Sequence, residues 1–160
     1  MFTYQGYTCR TWQASDRDVC AELVDAVLKE HALVFHPDTE GDLLTVETVY
    51  QAGCFWVIEN AVGKVVGTGG YHPDHRGANA VEIRKMYLRS SARGIGLGQR
   101  LLQSLESHAF SQGFRLIWIE TDKRLPQAIK LYEKQGYQLT SPCLATHGCD
   151  QVFFKDLVDT

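Results

Sequence analysis

Apolar positions along the chain switch between two periods, and the switches mark out the elements. Val19, Cys20, Leu23, Val24, Val27 and Leu28 recur at helical spacing. With Ser15 and Asp18 placed as a capping box, they predict a helix over 16–30. Ahead of it, 7–13 is rich in aromatic and β-branched residues and reads as a strand. After an irregular stretch punctuated by Pro37 and Gly41, the spacing of Leu43, Val46, Val49 and Tyr50 predicts a second helix. The β-rich runs 54–59 and 64–71 flank Asn60-Ala61-Val62-Gly63 as a hairpin, and a further strand, 80–88, follows a polar loop holding His72, Pro73, Asp74, His75 and Gly77.

In the second half, Leu97, Leu101, Leu102, Leu105 and Ala109 mark a helix that Gly113 ends. The run 114–121 is a strong strand, and it must lie parallel to 80–88 if that helix is a crossover. Pro126 opens a helix carrying Ala128, Ile129 and Tyr132 that Gly136 closes, and 137–140 and 151–155 read as closing strands. An antiparallel meander followed by a crossover predicts one α+β domain over 1–160.

Composition narrows the function classes. A chain of 160 residues buries a core without staples, and its formal net charge of -3 argues against a nucleic-acid coat and permits a cationic substrate. No apolar run is long enough to span a bilayer, and the first residues lack a charged and apolar leader pattern, so a cytoplasmic protein without a membrane partner is expected. Cys9, Cys20, Cys54, Cys143 and Cys149 are odd in number and lack C-x-x-C spacing, which reads as reduced thiols.

One stretch departs from the overall sign. From Arg84 to Arg100 come Arg84, Lys85, Arg89, Arg93 and Arg100 with no acidic residue, around Gly94, Gly96 and Gly98. Strand, glycine loop and helix in that order suit a bulky anion, because the helix start offers free N–H groups and its positive dipole end. A nucleotide P-loop requires G-x-x-x-x-G-K-[ST], which is absent. The dinucleotide pattern G-x-G-x-x-G also fails, since its last position falls on Gln99 or Leu101, although Glu120 lies at a suitable distance for a ribose.

Arg93-Gly94-Ile95-Gly96-Leu97-Gly98 resembles the acetyl-coenzyme A signature [QR]-x-x-G-x-[GA] of the GNAT superfamily of N-acetyltransferases, with Arg93, Gly96 and Gly98 at its fixed positions. Ala128-Ile129-Lys130-Leu131-Tyr132-Glu133-Lys134-Gln135-Gly136-Tyr137 is similar to the family's second element, and Leu125 stands where many members have an asparagine. The resemblance implies a central mixed, mostly antiparallel sheet flanked by helices, opening as a V where two parallel strands diverge. It implies acetyl transfer from acetyl-CoA, as cosubstrate and without a metal, to a primary amine of a small molecule or peptide. A homodimer is compatible with it.

The resemblance also distributes roles. Glu82 matches a strand position where some members hold a glutamate base, and alternation places it with Arg84 and Met86; a carboxylate paired with Arg84 or Lys85 is the other reading. Tyr132 matches the tyrosine acid, and packing on Leu125, Ala128 and Ile129 is compatible with that role. Cofactor contacts would fall to Met86, Tyr87 and Leu88 on the strand and to Arg93, Gly94, Ile95, Gly96, Leu97 and Gly98 in the loop, with a backbone N–H of Met86 or Tyr87 facing the oxyanion. Arg89 is within reach of the adenosine phosphates. His72 and His75 read as a solvated loop, His147 and Cys149 as acceptor-side or turn residues, Glu120 as a strand-end carboxylate, and Trp56 and Trp118 as core. A non-catalytic acyl-CoA-binding module and a nicotinamide-dependent enzyme are the rival classes.

Overall fold

Alternation in β3 (Cys54–Glu59) sets the layering of the computed structural model, which describes residues 1–158. Phe55 and Val57 are buried in one apolar cluster and Trp56 and Ile58 in another, on opposite faces of the sheet. The first cluster lies under α1 (Arg17–Glu30), whose Cys20, Leu23, Val24, Val27 and Leu28 form its buried stripe. The second lies under α4 (Leu97–Ser111), where Leu97, Leu101, Leu102 and Leu105 are almost wholly buried. Each buried leucine contributes about 2 kcal/mol, so this stripe holds α4, and the loop that opens it, firmly against the sheet.

Eight strands form one sheet in the order β1-β2-β3-β4-β5-β6-β8-β7. The others are β1 (Thr3–Tyr4), β2 (Tyr7–Thr11), β4 (Val65–Asp74), β5 (Ala80–Leu88), β6 (Leu116–Thr121), β7 (Gln138–Thr140) and β8 (Gln151–Asp156). Every pairing is antiparallel except that of β5 with β6, which the α4 crossover makes parallel. That parallel pairing spans only Ala80–Ile83 against Leu116–Ile119. Beyond it β5 continues to Leu88 and β6 to Thr121 without pairing to each other, which is the expected V. On the α4 face, α5 (Pro126–Lys134) packs into the same apolar cluster through Tyr132, Ala128 and Leu131.

The structure corrects several expected elements. The second helix is broken into α2 (Pro37–Glu40), a 3-10 turn at Gly41–Leu44 and α3 (Val46–Val49). Its β-branched Thr and Val residues disfavour a longer helix, and Tyr50 Oη donates to Asp42 at 2.5 Å, folding the segment back on itself. At the start of α1 the pinning carboxylate is Asp16 rather than the Ser15 and Asp18 pair. Asp16 accepts from the Gln13 N–H at 2.8 Å and from both Arg10 terminal nitrogens at 2.8 Å each. Strand β4 runs on to Asp74, so His72 sits in a strand and not in a loop. All five cysteines are free thiols, and no helix of the described residues is long and apolar enough to cross a membrane.

Candidate active site

A bulge in β5 prepares the opening. Lys85 adopts φ 57°, the register against β4 slips between Thr68 and Gly70, and Thr68 Oγ1 donates to the Lys85 carbonyl at 2.7 Å. An extra residue reverses the alternation after it, so the expectation that Glu82, Arg84 and Met86 share a face is corrected. Val81, Ile83 and Met86 pack with the α4 cluster, while Tyr87 packs with the α1 cluster. Past Ile83 the β6-facing edge of β5 has no strand partner, which leaves its backbone groups for a ligand. A cavity of about 630 Å³ fills the opening, lined by Ile83 to Leu88, the glycine loop, the first turn of α4, and Leu125, Ala128 and Tyr132 of the α5 region.

Five of the six predicted loop residues, Arg93, Gly94, Gly96, Leu97 and Gly98, line this cavity. Ile95 does not; its carbonyl instead accepts a 2.6 Å hydrogen bond from Tyr4 Oη of β1. Gly94 and Gly96 take φ 81° and 85°, backbone that other residues enter only at a cost. Gly96 caps α4 with no side-chain hydrogen bond, and the first turn holds no acidic residue. The leading N–H groups of α4 therefore remain free, at the positive end of the dipole.

The positive run proves less exposed than its sequence suggests. Arg89 pairs with Glu22 of α1 and donates to the Val65 carbonyl at 3.1 Å. Arg93 donates to Glu30 at 2.6 Å and to the Leu88 carbonyl at 2.9 and 2.7 Å. Carboxylates of α1 thus offset both arginines, and an anion here meets mainly backbone N–H groups.

Tyr132 lies on the cavity wall, its ring packed against Tyr137 and Phe153 at centroid distances of 5.9 and 6.0 Å. Its hydroxyl makes no hydrogen bond among the described residues. Burial pushes the phenol well above its ordinary value, so it stays protonated at neutral pH. Leu125 makes the wall apolar at the place where the family pattern has an asparagine.

Glu82 is 1% exposed and stands behind the cavity rather than on its lining. Its Oε1 meets His147 Nε2 at 2.9 Å and His72 Nε2 at 3.3 Å, and its Oε2 accepts from Arg76 Nη2 at 3.2 Å. Burial alone would raise this carboxyl, but the hydrogen bonds from His147 and His72 outweigh it and hold the group well below the usual carboxylate range. For His72, burial opposes the charge, while Glu82 and the Pro73 carbonyl raise the ring above its ordinary value.

Arg76 is the residue the sequence reading missed. It donates to Asp74 twice at 2.8 Å, to Glu120 at 2.8 Å, and to the Leu144 carbonyl at 3.0 Å, besides Glu82. Glu120 in turn accepts from the Thr146 and His147 backbone, fastening the segment before β8 onto β6. Trp118 is not core: its Nε1 donates to the Arg76 carbonyl at 2.6 Å and its ring lies 4.9 Å beneath the guanidinium. No local signal in the sequence distinguishes Arg76 from the other residues of a polar turn. Ligand atoms of Glu82, Glu120 and His147 lie within 4.8 Å of one another, yet the Arg76 guanidinium already bonds both carboxylates, which opposes a second positive centre there. Cys149 is pushed up to about 11 by burial and is a thiol, not a nucleophile, at neutral pH.

This geometry has counterparts in known proteins. The family model described as "Acetyltransferase (GNAT) family" matches residues 20–137. An IAA acetyltransferase of Azospirillum brasilense is 28% identical over 126 residues, which cover 79% of this chain and 81% of that protein. The Escherichia coli N-acetyltransferase YjgM is 36% identical over 107 residues, 64% of each chain, so the match spans just under two thirds of that relative's length. A crystal structure of a GNAT-family acetyltransferase from Staphylococcus aureus Mu50 superposes with a TM-score of 0.87 at 19% identity, over 95% of this chain and 99% of that one, which establishes the fold. The chain belongs to the GNAT acetyltransferase family, whose reaction is acyl transfer from acetyl-CoA.

Proposed function

We propose that the protein acetylates a primary amine of a small molecule or peptide by direct attack, with both substrates held in the opening between β5 and β6. One observation carries the reading: a free strand edge, an uncapped helix start and an unpartnered tyrosine hydroxyl converge on one 630 Å³ cavity. Acetyl-CoA supplies the acyl group. The N–H groups of the glycine loop and α4 hold its phosphates, and the β5 edge holds the chain that leads to the thioester. A backbone N–H of Met86 or Tyr87 donates to the acyl oxygen as negative charge develops on it. Tyr132 gives its proton to the departing sulfur, a transfer its protonated state and free O–H support.

The attacking amine, with an ordinary pKa near ~10, must lose a proton. Glu82 is buried off the cavity lining with its oxygens held by His147, His72 and Arg76, so its role in this reading is to orient and to carry charge. His147 is the acceptor of the pair: Nε2 is fixed on Glu82 at 2.9 Å, and Nδ1 makes no hydrogen bond among the described residues. A ring whose Nε2–H is committed to a carboxylate presents a lone pair at Nδ1, directly or through water. His72 does not share this role, because Nδ1 is spent on the Pro73 carbonyl and Nε2 on Glu82.

The test is thiol release from acetyl-CoA across a panel of amines and peptide N-termini, with the acetylated product identified by mass. Acceptor-dependent release supports the reading. Tight acetyl-CoA binding with no turnover on any acceptor would make the protein an acyl-CoA-binding module instead.

A further inference from the structure

Two arginines stand partly buried on the acceptor side of the β5 opening, and they differ in one respect. Arg76 has its fork filled by Asp74, Glu120, Glu82 and the Leu144 carbonyl. Arg84 does not. Its side chain is 13% exposed, it follows the last β5 residue paired with β6, and it lines the cavity. A guanidinium has five N–H donors, and here Nη2 donates to the Thr39 carbonyl at 3.0 Å as the single hydrogen bond among the described residues. The nearest carboxylate oxygens, Asp42 Oδ2 and Glu82 Oε1, are both 3.8 Å away, beyond hydrogen-bond reach.

Neither carboxylate is free to close that gap. Asp42 is held by Tyr50 Oη at 2.5 Å and by Lys85 Nζ at 3.1 Å. Glu82 is held by His147, His72 and Arg76. The charge of Arg84 is offset at ion-pair distance by Asp42 and Glu82, but its Nε and Nη1 donors make no hydrogen bond among the described residues and remain open to a ligand that enters the cavity. The planar fork matches a carboxylate in bidentate geometry.

We propose that Arg84 is the carboxylate-binding residue of the acceptor site, so that the acceptor is an amine bearing a carboxylate a few bonds away, of amino-acid size. The inference rests on the acetyl-transfer reading above and names its substrate class. Arg84 and the Met86 to Tyr87 backbone line the same cavity, so a small acceptor entering it can present its amine to the thioester and its carboxylate to Arg84.

The experiment compares L-amino acids with their carboxamides and their decarboxylated amines, and with tetrapeptides, in the thiol-release assay. Calorimetric titration of the same compounds in the presence of coenzyme A runs alongside. Amino acids should exceed their amides at least about tenfold in kcat/KM or in affinity. Arg84→Gln should erase that difference with acetyl-CoA affinity unchanged, and Arg84→Lys should restore part of it. Melting curves of both variants identify a folding defect, and Arg84→Lys carries the comparison if Arg84→Gln is unfolded. Equal use of amides and acids, preferred use of tetrapeptides, or an acid preference that survives in Arg84→Gln overturns the proposal. If no acceptor is turned over, the transferase reading fails, and the calorimetric arm decides alone: carboxylate-dependent binding lost in Arg84→Gln supports the site, and its absence overturns it.

Discussion

Gly96→Ala tests the donor side where backbone geometry and tertiary contact coincide. The residue takes φ 85°, and a Cβ there would sit 2.9 Å from Tyr4 Oη, the atom that latches the loop through the Ile95 carbonyl. Left-handed backbone costs a non-glycine residue roughly 1–2 kcal/mol, and losing the Tyr4 hydrogen bond adds about 1 kcal/mol. Roughly 2–3 kcal/mol must therefore appear somewhere. If the loop keeps its shape, the cost falls on stability, and Tm drops by about 4–12 °C for a chain of this size. If the loop relaxes, its N–H groups no longer converge and the Kd for coenzyme A rises by about 30- to 150-fold.

Gly98→Ala is the control two residues on. Its Cβ would meet Leu131 at 3.6 Å and Leu88 at 3.7 Å, ordinary contact, at a helical position without a positive φ. Alanine in a helix gains roughly 0.5–1 kcal/mol over glycine, so Tm should hold or rise and Kd should change less than about threefold. Calorimetric titration of coenzyme A and differential scanning calorimetry on both variants read the two quantities. Gly96→Ala with the wild-type Kd and Tm, or Gly98→Ala the more damaged of the two, would refute the assignment of the cradle to the left-handed loop.

Tyr132→Phe should lower kcat at least about tenfold while leaving acetyl-CoA affinity and Tm nearly unchanged, because the hydroxyl has no partner to lose; an unaffected rate removes the tyrosine as acid. His147→Gln should lower kcat with acetyl-CoA affinity intact, and rapid turnover in that variant returns the proton acceptor to water. Glu82→Gln removes the carboxylate that His147, His72 and Arg76 share, while Asp74 and Glu120 still pair with Arg76, and should cost about 1–3 kcal/mol, read as a fall in the urea midpoint; a midpoint within error of wild type contradicts the ion cluster. The same carboxyl sets an acid limit. Its folded pKa is depressed, so its contribution is complete above the ordinary value of 4.5 and is lost as pH falls. His72 is raised, so its contribution is complete below 6.5 and is lost as pH rises past its folded value. Tm should therefore peak near pH 5–6.5 and fall on both sides, and Glu82→Gln should flatten both limbs; unchanged limbs would detach the pair from stability.

The two halves of the opening differed sharply in how far the sequence disclosed them. The donor half is built from rules that act over a few residues: left-handed backbone at Gly94 and Gly96, an uncapped helix start, a proline and an apolar stripe opening α5. Such features carry their own local signatures, and the antiparallel meander and the parallel pairing of β5 with β6 followed from the same periods. The bulge at Lys85 left no signature, because a lysine at positive φ is held there by Thr68 and the β4 register and not by its own preference. One inserted residue was enough to place Met86 with the α4 cluster, on the face opposite to the one alternation gave it.

The acceptor half depends on distant partners. Glu82 meets His147 across 65 positions, Arg76 meets Glu120 across 44, and Arg84 meets Thr39 across 45. A carboxylate, a histidine and an arginine each read singly as a solvated side chain, and only the fold brings them into one low-dielectric cluster where each sets the charge of the others. The consequence is mechanical as well as chemical. Glu120 and Arg76 fasten the 144–147 segment, so the ring proposed to take the amine's proton is held by the same ions that hold its counter-charge. Weakening Arg76 should therefore displace His147 and loosen the acceptor side while the glycine loop, anchored separately by Tyr4 and α4, keeps its affinity for coenzyme A. Arg76→Gln tests that separation: kcat falling with Kd for coenzyme A unchanged is the expected split, and parallel loss of both would show the two halves to be one cooperative unit.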